Sequence, residues 1–448
     1  MRNVLQIFVT VAIAALLFGG TSAIAQPDFT PYPNNPVLTY GPPGSWDAGL
    51  IYLPEVFSYN GQYYMFYTGT ADLMTTPLSI GYATSTDGYT WTKYSGNPVF
   101  QSDGTGFDAW WVAESRIIRV DSLWIMYYNG RSAPGPGPGP AIGRATATDL
   151  AGPWTPLDTP VLEVGSPGEW DHSFVTPSCV LYTGNQYVMY YSGGIEYLSY
   201  EPRMMGMATS PDGINWTKYD DPTTTDPPYA ESDPVLHVGP PGSYDAGVAY
   251  EGYVLPTAAG WELFYASHPG TLDGHQSLSY ATSSDGINWV KDPDNPFLEP
   301  SQPWATLALA APSAIKINGT YFLYYIGLSE PGEGQIGLAT GTITGIVDQE
   351  NGELVEDFRL EQNYPNPFNP STTIAFSLPH ASRITLQVFD ITGRKIRTLM
   401  SGQLPAGTHQ VEWDGRDDAG QLVGSGVYFY QLQTGEGFTQ VKRMVLLK

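Results

Sequence analysis

Along most of the chain apolar and polar residues alternate in short runs, closed by Gly, Pro, Asn and Asp at spacings of about 8 to 12 residues. That period belongs to short antiparallel strands, because successive side chains on a strand point to opposite faces. The runs also recur. Four stretches share a lead-in loop with an aromatic residue followed by Asp: Trp46-Asp47, Phe107-Asp108, Trp170-Asp171 and Tyr244-Asp245. Each precedes an aromatic strand, YYMFYTG, WIMYYNG, YVMYYSG or WELFYAS, and a fifth such strand, YFLYYIG, follows Trp304. From Gly69 to Gly130, Gly193, Ser267 and Gly327 the spacings are 61, 63, 74 and 60 residues, so the chain holds five repeats.

Each repeat accommodates four strands. The first is PEVFSY and its relatives, the second is the aromatic strand, the third is IGYATS-like and the fourth WTKYSGNPVF-like. Radially repeated four-stranded units make a β-propeller, which predicts five blades over residues 26–345. The fifth repeat lacks its outer strand, because the chain leaves IGLATG for a polar stretch. The missing piece is at the other end: Phe29–Leu38, FTPYPNNPVL, matches Trp91–Phe100, WTKYSGNPVF, with Phe29 standing for Trp91. Residues 26–38 are therefore expected to close blade five. The turns STDGYTW, SPDGINW and SSDGINW place Asp87, Asp212 and Asp285 where a short carboxylate can accept backbone N–H groups, a structural use.

The flanks read differently. Arg2, the apolar Val4–Phe18 and Ala23-Ile24-Ala25 make a signal peptide over residues 1–25, with the mature chain starting at Gln26. A membrane anchor needs about 20 apolar residues, and this stretch is interrupted by Gln6, Thr10 and Gly19-Gly20. No later segment is apolar enough to span a bilayer. Residues 346–356 are polar and aperiodic, a linker. After it, the alternation in RITLQVFD and GVYFYQL predicts a small Ig-like β-sandwich over residues 357–448, and the whole chain is expected to be all-β.

Composition narrows the partners. Of 19 Lys and Arg, ten lie in the first 352 residues, with 34 of the 44 Asp and Glu. A body this acidic repels phosphate backbones, which excludes nucleic acid, and leaves a neutral ligand, a sugar or a structural calcium ion. Cys179 is the only cysteine, so no intrachain disulfide forms.

What breaks a repeat is the candidate for chemistry. On the inner strands, Pro54, Pro177 and Pro312 stand where Glu114 and Glu251 stand in blades two and four. Glu55 lies one place further on, opposite Ser115, Ser178, Gly252 and Ser313. Carboxylates facing an axial cavity lined by Trp110, Trp111, Tyr52 and Tyr250 would be desolvated and mutually repelled, which separates an acid from a base. Glycoside hydrolysis needs such a pair. The structural alternative is an ion pair such as Glu114 with Arg116. Asp47, Asp108, Asp171 and Asp245 recur and are expected to brace their loops, with Asp47 and Asp171 also candidates for ligand contact. His172 breaks a repeated Ala and joins them. Top-face loops add Arg131, Glu196, Arg203, His268, Asp273 and His275, and no metal is assigned to the two histidines.

The five repeats, the aromatic second strands and the S-x-D-G-x-x-W turns together resemble the superfamily of glycoside hydrolase families 32, 43, 68 and 130 over about residues 27–345. In family 130 an acidic motif followed by Pro-Arg-Ile resembles Ala113-Glu114-Ser115-Arg116-Ile117, without its Pro. The resemblance implies a neutral-glycan glycosidase of inverting mechanism, with Glu114 and Glu251 as acid and base, Glu55 as modulator, Arg116 and the aromatic residues on the sugar, and no cofactor. The rival implication is a carbohydrate-binding propeller without catalysis. Phe358–Lys448, with NYPNPFNPST, DITGR, WDGRD, SGVYFY and KRMVLLK in order, resembles the C-terminal sorting domain of the type IX secretion system. It implies a seven-stranded sandwich, delivery to the cell surface or medium, and the outer-membrane secretion machinery as partner; separately, the protein is expected to be a monomer.

Overall fold

The computed structural model describes residues 26–447 except 73–74, 134–138, 185, 196–201, 258–259, 318, 330–332, 343–357, 364–365, 367, 370, 380–381, 405–406, 419 and 436. The expected signal peptide, the linker and Glu196 lie outside the described residues. Two compact units result, one carrying the repeats and the other Gly345–Lys448.

In the first unit each repeat forms a four-stranded antiparallel blade. Blade one runs Leu50–Tyr59, Gln62–Thr70, Ser79–Ser85 and Thr92–Lys93, and blade two Trp111–Val120, Leu123–Arg131, Ala141–Ala147 and Thr155–Pro156. Blade three is Phe174–Tyr182, Tyr187–Gly194, Arg203–Ser210 and Thr217–Lys218, with Pro234–Leu236 also on its third strand. Blade four is Val248–Thr257, Gly260–His268, Ser277–Ser283 and Val290–Lys291, joined to blade three by one parallel bridge, Arg203 to Val248. Blade five has Ala308–Ile317, Thr320–Ser329 and Glu333–Thr342, and its outer strand is Asp28–Pro31.

That last pairing closes the ring as the chain's self-alignment predicts. Phe29 lies opposite Gly341 and Pro31 opposite Ala339, while Leu38 bridges Ile336. Asn35 copies Asn97 and Asn295: its side-chain amide donates to Leu338 O (2.8 Å) and accepts from Leu338 N (2.9 Å), extending the ladder like a strand residue. The outer-strand aromatic of each blade packs edge-on against the preceding blade's second strand. The pairs are Phe29 on Phe264 (5.7 Å between centroids), Trp91 on Tyr324 (5.6 Å), Trp154 on Phe66 (6.2 Å), Trp216 on Tyr127 (5.5 Å) and Trp289 on Tyr190 (6.1 Å). Edge-to-face packing is the favoured arrangement for such rings, and Phe29 occupies the position of the tryptophans.

The Asp turns are structural. Asp212 Oδ1 accepts the N–H groups of Ile214 and Asn215 at 2.8 Å each, and Asp87 and Asp285 repeat the pattern.

The C-terminal unit is a seven-stranded sandwich. One sheet holds Arg359–Leu360, Thr372–Leu378 and Gly407–Trp413; the other holds Lys395–Leu404, Ser382–Asp390, Gly426–Thr434 and Thr439–Leu446. Alternate residues such as Ile384, Leu386 and Val388 turn inward onto Trp413, as the period of two requires.

Candidate active site

Four inner strands carry the same defect. Leu53, Glu114, Glu251 and Ala311 adopt left-handed φ of 57°, 54°, 48° and 47°. In blades one, two and four, two residues there oppose one on the second strand. Such a bulge bends the strand and re-aims the side chain, and a non-glycine residue held at positive φ is strained, a state that concentrates at functional sites. Pro177 cannot adopt positive φ, and blade three shifts its irregularity one place on, between Pro177 and Cys179. The bulge residue is pinned by the preceding blade: Glu114 N–H donates to Thr68 Oγ1 (2.9 Å) and Glu251 N–H to Ser192 Oγ (2.8 Å).

This register corrects the sequence alignment at blades one and five. Leu53 and Ala311, rather than Pro54 and Pro312, are the counterparts of Glu114 and Glu251. Glu55 consequently matches Arg116, Cys179 and Tyr253. It is buried beside Arg116 at 3.7 Å, away from the cavity wall. Spacing agrees with the structure here: Leu53, Glu114, Pro177 and Glu251 each lie six residues past Asp47, Asp108, Asp171 and Asp245, and only the alignment of prolines moved blade one by a residue.

The kinked strands open onto a cavity of about 450 Å³. Its wall takes Tyr52, Glu114, Thr176, Tyr250 and Glu251 from inner strands, and Arg203, His268 and Gln276 from the top of blades three and four. Burial and the neighbouring Glu251 charge push the Glu114 carboxyl from 4.5 up to about 7, against the opposing pull of Arg116, Thr176 and Asn129. Burial also raises Glu251, but the Tyr250 hydroxyl, Arg203, Arg116 and the Ala311 N–H hold its charged form. Tyr250 is itself placed by Arg203 Nη1 and Gln276 Nε2, each 3.4 Å from its hydroxyl. Arg203 lies over the Tyr250 and Phe174 rings at 5.4 and 5.7 Å. Beneath the wall, Glu55 is raised by burial to about 7, opposed by Arg116 and the Ile117 N–H.

Of the residues expected at the site, Glu114, Glu251, Tyr52 and Tyr250 line the cavity and the others do not. Arg116 is 2% exposed and spends its N–H groups on Ser178 O and Ser115 O. The ion pair offered as the structural alternative for Glu114 is not the one formed: Arg116 pairs with Glu55. Asp47 and Asp171 are buried in ion pairs with Lys93 (2.5 Å) and Lys218 (2.6 Å), so both brace loops. His172 bonds Glu169 O (2.6 Å) within its own loop. Trp110 donates its N–H to Arg131 O, and Trp111 lies under the Arg131 guanidinium and donates its indole N–H to Asn129. Sequence reasoning noted Arg203 and His268 as top-face residues but missed Phe174, Thr176, Gln276 and Asn129. Thr176 was visible only as the residue before Pro177, and Asn129 only as an exception to Thr68 and Ser192.

Solved structures similar to the propeller cover about 70% of this chain. They include a glycoside hydrolase (18% identity, 69% of this chain and 91% of that one, TM-score 0.56) and a glycosyl hydrolase from Bacteroides ovatus (18%, 70% and 94%, 0.53). A third comes from the GH130 family of mannoside phosphorylases, which contains glycoside hydrolases that target β-1,2 mannosidic linkages in Candida mannan (18%, 70% and 94%, 0.54). At these identities the likeness is one of fold, that of glycoside-hydrolase-type propellers. Residues 366–437 match the family described as FlgD Ig-like domain. The chain is also similar to basal-body rod modification protein FlgD of Salmonella typhimurium and Salmonella typhi, 38% identical over 61 residues, which is 14% of this chain. The chain spans 26% of the length of those curated relatives.

Proposed function

We propose that the propeller is a glycosidase acting on a neutral glycan by carboxylate acid/base catalysis with inversion. The observation that carries this reading is the convergence of Glu114 and Glu251, on equivalent bulges of blades two and four, upon one cavity. Their surroundings differ in the sense that acid/base division requires. Glu114 keeps its proton to about pH 7 and serves as general acid to the leaving oxygen. Glu251, supported by a hydroxyl, a guanidinium and a backbone N–H, serves as the base that activates water. An inverting pair stands about 6.5–9.5 Å apart, leaving room for that water. Tyr52 and Tyr250 offer apolar faces to the sugar ring.

We extend the proposal to address. The signal-peptide pattern and the ordered C-terminal motifs support export, and surface delivery or release through the type IX machinery, with the sandwich as the recognised element.

The test is a screen of aryl-glycosides and polysaccharides, with and without inorganic phosphate, using the wild type, Glu114→Gln and Glu251→Gln. Turnover by the wild type with loss in both variants is expected. Turnover that requires phosphate would change hydrolysis to phosphorolysis. Sugar binding by all three with turnover by none would leave a carbohydrate-binding propeller.

A further inference from the structure

The second-strand residue that faces the next blade's bulge has a repeated task. Thr68 and Ser192 accept the bulge N–H of Glu114 and Glu251. Asn129 holds that place in blade two, opposite Ala113, but the residue waiting in blade three is Pro177, which has no N–H to give. Asn129 is thereby released from the scaffold role while remaining 1% exposed.

Its orientation is set from outside. The Trp111 indole N–H is a donor only, and it meets Asn129 Oδ1 at 3.3 Å. That contact fixes which end of the amide is oxygen, so Nδ2 turns the other way, and Asn129 lies opposite Ala113, the residue before Glu114. Nδ2 is buried and makes no hydrogen bond within the usual distance among the described residues. An unpaired buried amide is costly unless it meets an acceptor, and the carboxyl that Asn129 acts on is that of Glu114, the residue next to its cross-strand partner Ala113.

We infer that Trp111 and Asn129 form a relay that positions the Glu114 carboxylate, the indole orienting the amide and the amide holding one carboxylate oxygen toward the cavity. Asn129 is a positioning residue, and Trp111, expected to stack on sugar, acts through it. The other groups facing Glu114 are Glu251 of blade four, Arg116 of its own strand and Thr176 of blade three, with Glu55 of blade one paired to Arg116. None of them replaces an amide donor held by an indole. The inference deepens the proposed role of Glu114 without needing turnover to be observed.

The test is a ¹³C-carboxyl NMR titration of Glu114 in the full chain, for the wild type, Asn129→Leu and Trp111→Phe. Because an N–H donated to a carboxylate favours its charged form, Asn129→Leu should raise the Glu114 midpoint by about one to two units. Trp111→Phe, which keeps the ring, should raise it by a smaller amount because the amide is then free to turn over. If either variant leaves the midpoint at its wild-type value, the relay is refuted. Should Asn129→Leu fail to fold, the Trp111→Phe titration alone decides. If a substrate is found, the basic limb of the pH–rate profile should move in the same direction. Absence of turnover in the wild type would count against the glycosidase reading and leave the relay standing or falling on the titration.

Discussion

Replacing Glu251 by Gln isolates the charge that the two carboxylates impose on each other, because Gln keeps the shape and loses only the ionisation. At the roughly 6.5–9.5 Å separation of an inverting pair, two unit charges at an effective dielectric of about 20 repel by about 1.7–2.6 kcal/mol. One pKa unit corresponds to 1.36 kcal/mol, so the repulsion accounts for about 1.3–1.9 units of the Glu114 shift. Removing it should lower Glu114 from about 7 to between about 5 and 6. The remaining elevation is the burial contribution, the larger cause of the shift. The measurement is the same ¹³C-carboxyl titration, followed in Glu251→Gln and, reciprocally, in Glu114→Gln for Glu251. Glu251 ionises while Glu114 is still protonated, so Glu114→Gln should leave the Glu251 midpoint near its wild-type value while Glu251→Gln lowers that of Glu114. A Glu114 midpoint that stays near 7 when Glu251 is neutral would mean that the two groups do not share a cavity as charges, and the acid/base assignment would go with it.

Glu55→Gln should flatten the pH dependence of thermal stability: the folded carboxyl holds its proton to about 7 against an ordinary 4.5, so the native state binds more protons in that window and stability falls as pH rises through it. The wild type loses at most about 3 kcal/mol to this group, and melting curves from pH 4 to 8 that are parallel for both proteins would sink the idea. Lys218→Met leaves the fully buried Asp171 without its counter-ion and should cost about 3–5 kcal/mol by denaturant unfolding; an unchanged midpoint would mean that Asp171 is free for a ligand after all. Phe29→Ala removes a half-buried ring packed on Phe264, Phe297 and Tyr321, which should cost about 2 kcal/mol, toward the lower end for large-to-small changes. Deleting residues 26–38 should expose the blade-five edge and promote aggregation, seen by light scattering on heating, and a truncated protein that melts like the wild type would contradict the closure.

Much of the architecture was legible because the chain contains its own alignment. Phe29–Leu38 could be placed on blade five from its likeness to Trp91–Phe100, and the pairing of Asp28–Pro31 with Ala339–Thr342 follows. The cavity-facing glutamates were legible as departures from a repeat. What misled was the proline: Pro54 was aligned with Pro177, although Leu53 is the residue six past Asp47 as Pro177 is six past Asp171. A slip of one residue along a strand moves each side chain to the other face, and so Glu55 was set beside Glu114 when it belongs with Arg116 beneath. The lead-in aspartates misled for the opposite reason: a carboxylate repeated near a cavity looks like a ligand until its lysine is found about 46 residues away, as with Lys93 and Asp47 or Lys291 and Asp245. Those partners lie on the outer strand, and only the fold brings them back.

The division of labour between two chemically identical side chains comes from the blades around them. Glu114 and Glu251 leave their strands at the same strained φ and are pinned by the same kind of hydroxyl, so the backbone treats them alike. Asymmetry enters one residue earlier, where blade two has Ala113 and blade four has Tyr250, whose hydroxyl reaches Glu251. It enters again at the top of blade three, where Arg203 faces Tyr250 and the Glu251 side of the cavity. Glu114 is opposed in its shift by Arg116, Thr176 and Asn129, and Arg116 also acts on Glu251, so that guanidinium does not divide the pair. The Tyr250 hydroxyl and the Arg203 charge both favour the charged form of Glu251, and the Glu251 charge in turn favours the proton on Glu114. On the proposed reading, a fold built by repetition obtains an acid and a base from one residue type, by varying the neighbours while leaving the position fixed.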